Sequence, residues 1–151
     1  MKLSEHFSFE ELTTTSHISL LDSNIDEALL SPPTMINLKH LANTLEEIRT
    51  ALGVPLKVTS GYRNNALNAK VGGSATSKHK SGLCADIVPI GIEVKDAFKV
   101  LNENRSKLKT VRKIIIEGIK GSSWLHIQTL ANSKEKLELF STNDGVNFKS
   151  V

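Results

Sequence analysis

Met35, Leu38, Leu41, Ala42, Leu45, Ile48 and Leu52 recur at intervals of three and four between Ser31-Pro32-Pro33 and Gly53. Only an α-helix gathers that period onto one apolar face. Ser31 suits the N-cap, Pro32 the first turn and Gly53 the stop, so the spacing predicts the main scaffold helix of the fold. His40 falls beside the stripe and reads as ordinary packing or surface. Everything else has to supply what this helix packs against.

The remaining elements are shorter. Ser8-Phe9-Glu10-Glu11 has the form of a capping box opening a short helix. Residues 13–30 mix polar and apolar positions without a clean period and read as a surface loop with one helical turn, which leaves His17 in solvent. A strand is expected over 54–60, a short helix over 64–71 stopped by Gly72-Gly73, and a strand over 84–90. Val94, Ala97, Phe98, Val100 and Leu101 predict a second amphipathic helix through Asn104. Residues 111–117 and 124–129 read as strands joined by a Gly-rich loop, 118–123. Strands over 137–140 and 146–151 flank Asn143-Asp144-Gly145, a hairpin turn signal, so the chain should close on an edge hairpin. The fold class expected is α+β, a small antiparallel sheet with helices packed on one side. Hydrophobic residues make up 39% of the 151 and charged residues 23%, enough to bury one core, so one domain spanning 1–151 is expected.

Charge and cysteine usage narrow the function classes. The formal net charge is +3 and no Lys/Arg block of five or six occurs, so a dedicated nucleic-acid groove is not expected. The mild basic balance favours an anionic cell envelope, though weakly. Cys84 is the single cysteine, which excludes an internal disulfide and a Cys-rich zinc site. The start, MKLSEHFSFEEL, lacks the apolar stretch of a signal peptide, and no run of about eighteen apolar residues occurs. A soluble, monomeric protein made in the cytoplasm, without a membrane span, is the expectation.

Chemistry concentrates in 58–86, a segment too rich in Gly and Ser to be simple core. His79 and Asp86 stand seven apart, a loop residue feeding a strand residue. His126 follows in Trp124-Leu125-His126-Ile127-Gln128, whose alternation turns it away from Leu125 and Ile127. Singly, each has an ordinary reading as a loop, cap or half-buried polar residue. Together, two imidazoles and a carboxylate suit one catalytic zinc, which takes three protein ligands at about 2.0 to 2.2 Å and leaves a position for water. Hydrolysis also needs a proton acceptor, and Glu117 is the candidate. Whether it faces the same side as His126 depends on a hairpin register that loop length does not fix. Arg63, delivered with Tyr62 to the end of a strand, suits a substrate carboxylate or oxyanion. Ser77 can donate to the same ligand, and Trp124 suits a pocket wall. Cys84 is a candidate fourth ligand or nucleophile, but between Leu83 and Ala85 it reads as packing.

At these residues the sequence resembles the M15 family of zinc peptidases, the D-alanyl-D-alanine carboxypeptidase-like group that shares its fold with the hedgehog signalling domain. Ser60-Gly61-Tyr62-Arg63, Ala66-Leu67-Asn68, Val71-Gly72-Gly73, Ser77-x-His79-x-x-Gly82-x-x-x-Asp86 and Trp124-x-His126 stand in the family's order. The opening Leu3-Ser4-Glu5-His6-Phe7 is similar to phage and bacterial members. The resemblance implies His79, Asp86 and His126 as ligands of one zinc, Glu117 as general base, and Arg63 and Ser77 as substrate contacts, with Tyr62 and Trp124 beside them. Cys84 stands where the family usually has Ala. Ser123 stands where many members carry their acid, three residues before the last histidine, so the base is expected from the preceding strand. The implied activity is zinc-dependent hydrolysis of the peptidoglycan stem peptide, as a D,D-carboxypeptidase or an L-Ala-D-Glu endopeptidase of phage-lysin or wall-remodelling type. The rival expectation is a non-catalytic zinc-binding module recognising peptidoglycan or a protein partner.

Overall fold

A computed structural model of the chain describes residues 1–119, 121–131, 134–143 and 147–150. The capping box forms as expected: Ser8 Oγ accepts from the Glu11 amide and the Glu11 carboxylate accepts from the Ser8 amide, opening helix α1, Phe9–Leu12. The apolar stripe becomes helix α3, Pro32–Leu52, capped by Ser31 and ended by Gly53 in the left-handed conformation. Between them lies a difference from the sequence reading. Residues 13–30 hold not one turn but a 3-10 turn, Ile18–Leu20, and a nine-residue helix α2, Leu21–Leu29. Its period is hard to see because one of its two fully buried positions is polar, Asn24, with Ala28 a turn later.

The strands are β1, Leu56–Ser60; β2, Cys84–Pro89; β3, Val111–Ile119; β4, Ser122–Thr129; β5, Glu138–Asn143; and β6, Asn147–Ser150. Helix α4, Asn65–Lys70, and α5, Val94–Glu103, complete the order. The six strands form one sheet in the order β1-β2-β4-β3-β5-β6. The α+β class holds, but the sheet is mixed rather than purely antiparallel, because β5 joins β3 in parallel. The closing edge hairpin is present as the antiparallel pair β5 and β6; Asp144 and Gly145 of its expected turn lie outside the described residues.

The expected loop 118–123 is largely strand. Gly118 pairs with Ser123 and Ile119 with Ser122. A close approach across this pairing calls for glycine at 118: a Cβ there would lie 2.7 Å from the Ser122 carbonyl oxygen.

Alternation decides the two faces of the sheet. Ala85 and Ile87 of β2, Ile114 of β3, and Leu125 and Ile127 of β4 are fully buried in the core that also takes Leu38, Leu41, Leu45 and Ile48 of α3 and Leu101 of α5. Their neighbours in sequence therefore face the other side. Asp86 pairs with His126 across β2 and β4, and Glu117 with Trp124 across β3 and β4. Among the described residues no helix is long and apolar enough to cross a membrane.

Candidate active site

Asp86 sits on a strand hydrogen-bonded on both sides, opposite Ser60 of β1 and His126 of β4. His126 Nδ1 lies 3.0 Å from Asp86 Oδ1, so two strand residues meet without help from a loop. His79 arrives from a 3-10 turn, Lys78–Ser81, whose N-cap is Ser77: the Ser77 hydroxyl accepts from the His79 amide at 3.2 Å. The ring is almost fully buried, and its Nδ1 is 2.7 Å from the Gly61 carbonyl oxygen. A carbonyl oxygen can only accept, so that nitrogen carries the hydrogen and Nε2 of the neutral ring is left as an acceptor. Nε2 lies 3.4 Å from Asp86 Oδ2. The two imidazoles meet edge to face, with centroids 5.3 Å apart.

This arrangement tests the fit of a cation. A neutral His79 directs a lone pair at a carboxylate that also can only accept, and a proton or a metal ion between them resolves the conflict. Burial alone would push the Asp86 carboxyl up, but the hydrogen bond and charge of His126, and those of His79 when a proton sits on its Nε2, overcome it and hold the group well below the usual carboxylate range. Asp86 is therefore an anion beside two nitrogen donors, a set that suits zinc.

The hairpin register, open from sequence, turns Glu117 to the same face. One donor atom each from Asp86, Glu117 and His126 lie within 4.8 Å of one another. Trp124, directly opposite, donates its indole N–H to Glu117 Oε2 at 3.0 Å and so fixes the carboxylate. Cys84 was read as packing, and it is fully buried; it also faces the site, its sulfur within 4.8 Å of His79 and His126 donor atoms. Burial first, and the charge of Asp86 second, push its thiol well above the ordinary value.

A cleft of about 300 Å³ opens on this cluster, lined by Arg63, Ser77, His79, Asp86, Glu117 and His126. The Arg63 amide donates to the His79 carbonyl at 3.0 Å, tying the two segments together. Among the described residues its guanidinium makes one long hydrogen bond, 3.4 Å to Asn68 Oδ1, and its Nε is buried without a partner. Tyr62 does not join the cleft. It is buried in the core cluster, because the β1 exit is pinned by its amide donating to the Leu12 carbonyl at 2.7 Å. Trp124 lines an adjoining groove instead of the cleft itself.

Two contributors escaped the sequence reading. The Gly61 carbonyl that orients His79 is a backbone group, and no side-chain pattern announces it. Asn24 is the other: its amide donates to the carbonyls of Thr13 and Tyr62, both at 3.0 Å, and its oxygen accepts from the Asn64 amide at 2.7 Å. It thereby holds the segment carrying Gly61 and Arg63.

An α+β sheet whose open face gathers two histidines, an aspartate and a glutamate fits a hydrolase of the metal-dependent kind. The model of the Peptidase M15 family matches residues 5–128, and the chain belongs to that family. It is accordingly a metallopeptidase. No curated protein matches the chain significantly.

Proposed function

We propose that the chain hydrolyses peptide bonds in the peptidoglycan stem peptide, with one zinc ion held by His79, Asp86 and His126. The observation that carries this is the position of Glu117, a carboxylate on the same face as the three candidate ligands and within 4.8 Å of two of them. Zinc bound there would supply Lewis acidity, polarising the scissile carbonyl and lowering the pKa of a water to about 7.

The chain's own residues divide the remaining work. Gly61 keeps the hydrogen of His79 on Nδ1 and so keeps Nε2 available. Glu117, steadied by Trp124, accepts the proton of the attacking water and returns it to the leaving amine. Arg63, whose guanidinium makes only one long hydrogen bond among the described residues, offers it to a substrate carboxylate or the developing oxyanion, and Ser77 lines the same wall. Free carboxylates and D-residues make the stem peptide a suitable partner for that arginine. The protein acts on the cell wall as a monomer, in the manner of a phage lysin or a wall-remodelling enzyme.

Purified peptidoglycan digested with the zinc-loaded protein should release peptide fragments, and their masses name the bond cut. Intact peptidoglycan after digestion would instead favour a zinc-binding module that recognises the wall without cutting it.

A further inference from the structure

Beside the cleft lies a second, larger cavity of about 780 Å³ that the reading above leaves unused. It arises where two strand pairings end at different points. The pairing of β2 with β4 runs as far as Ile87 and Leu125, whereas β3 and β4 stay paired to Ile119 and Ser122. Beyond Ile87 and Leu125, β4 parts from β2, which continues to Pro89 against β1, while the hairpin of β3 and β4 runs on. A groove is left between the hairpin's tip and residues 92–95, the approach to α5 and its first two residues.

Val88 and Trp124 bring this groove to the site. Val88 lies two residues beyond Asp86 on β2, and Trp124 two residues before His126 on β4, so both share the face of the metal-ligand candidates. Two residues of strand span roughly 7 Å, which is also about two residues of an extended peptide. The 3-10 turn carrying Ser77 and His79 joins β2 at its other end, Cys84. Along β2 the order is thus Arg63 and Ser77, then Asp86, then the groove.

We infer that the groove holds the substrate chain two or more residues from the bond being cut, so that the enzyme acts on extended peptides and discriminates against dipeptides. This rests on the peptidase reading. The walls suit a peptide: Val88, Ile92 and Trp124 offer apolar surface for a side chain, Ser122 offers a hydroxyl and Thr59 the lone pairs of one that already donates to the Asp86 carbonyl, and Glu93 and Lys95 offer a charge of each sign. Trp124 walls the groove while its N–H holds Glu117. A chain seated there therefore presses on the residue that steadies the base.

The test compares a stem pentapeptide with the dipeptide that contains only the scissile bond. Burying one further side chain corresponds to roughly 10- to 100-fold in kcat/KM, and that preference for the pentapeptide is expected. Ser122→Trp, which fills the groove from an exposed strand position, should collapse the preference, and Lys95→Ala should reduce it. Pentapeptide affinity is measured in parallel by calorimetry on Glu117→Gln protein, where Ser122→Trp should weaken binding. Equal rates on the two peptides, or a Ser122→Trp protein with undiminished preference and affinity, overturn the groove and leave the peptidase reading standing. Groove-dependent binding with no hydrolysis of either peptide overturns the peptidase reading and keeps the groove. Neither binding nor hydrolysis overturns both.

Discussion

Glu117 is the residue on which the catalytic reading turns, and its substitution separates chemistry from metal binding. Glu117→Gln keeps the shape and the hydrogen bond from Trp124 but removes the proton acceptor. Loss of a general base costs about 100- to 10,000-fold in rate, and that fall in kcat is expected with metal content unchanged by elemental analysis. A Glu117→Gln enzyme hydrolysing at wild-type rate would remove it from the mechanism. Arg63 gives a second test. An ammonium replaces the directed fork of a guanidinium with a compact charge, so Arg63→Lys should lower kcat/KM by roughly 10- to 100-fold. A fall shared by kcat places the arginine in the transition state, and a rise in KM alone places it on a substrate carboxylate. At this scale the sequence was informative where a side chain and its spacing carry the signal, as for His79, Asp86 and His126, which the fold brings together. It was silent on the facing of Glu117, because a register slip of one residue reverses a strand's faces, and silent on the Gly61 carbonyl. Tyr62, placed by the resemblance beside the substrate contacts, is core here, its amide pinned to the Leu12 carbonyl.

Among the elements, α3 and the sheet strands were legible because their burial follows a helical or alternating period. Helix α2 was not, because Asn24 occupies a position of its buried face and serves as a hydrogen-bonding hub. Asn24→Ala should strip partners from the carbonyls of Thr13 and Tyr62 and from the Asn64 amide. A buried polar group left unsatisfied costs about 1–3 kcal/mol, and a destabilisation of at least that size is expected, read as a lower urea midpoint with an unchanged slope. A midpoint equal to wild type would mean that water or a rearranged backbone replaces the amide. Gly61 joins α1 to the site in the same way. Its missing Cβ would lie 2.2 Å from the Leu12 carbonyl oxygen, a backbone atom that cannot swing aside. Gly61→Ala must therefore separate α1 from β1, at about 1–3 kcal/mol for an overpacked core position, and displace the carbonyl that orients His79. The measurement is thermal stability together with metal affinity, and both should fall.

For the molecule as a whole, the metal should act as a stabilising ligand, because its donors come from parts of the chain that only folding brings together. His79 lies on a 3-10 turn, Asp86 on β2 and His126 forty residues further on β4. An unfolded chain cannot present that set at one point, so binding is confined to the native state and adds to its stability. At a free zinc concentration 100 times the dissociation constant the gain is about 2.7 kcal/mol, and for a chain of this length that is about 5 to 11 °C in melting temperature. Chelation should remove this increment and abolish hydrolysis, and zinc returned after chelation should restore both. His79→Ala, Asp86→Ala and His126→Ala should each flatten the response, since each removes a proposed ligand, although losing Asp86 also relieves an anion held between two imidazoles. The comparison that matters is therefore the zinc-induced rise in each variant, not its absolute melting temperature. A His126→Ala protein that holds a full equivalent of zinc and melts with the wild-type rise would be incompatible with this ligand set, and would direct attention to Cys84, whose sulfur already lies with the His79 and His126 donors.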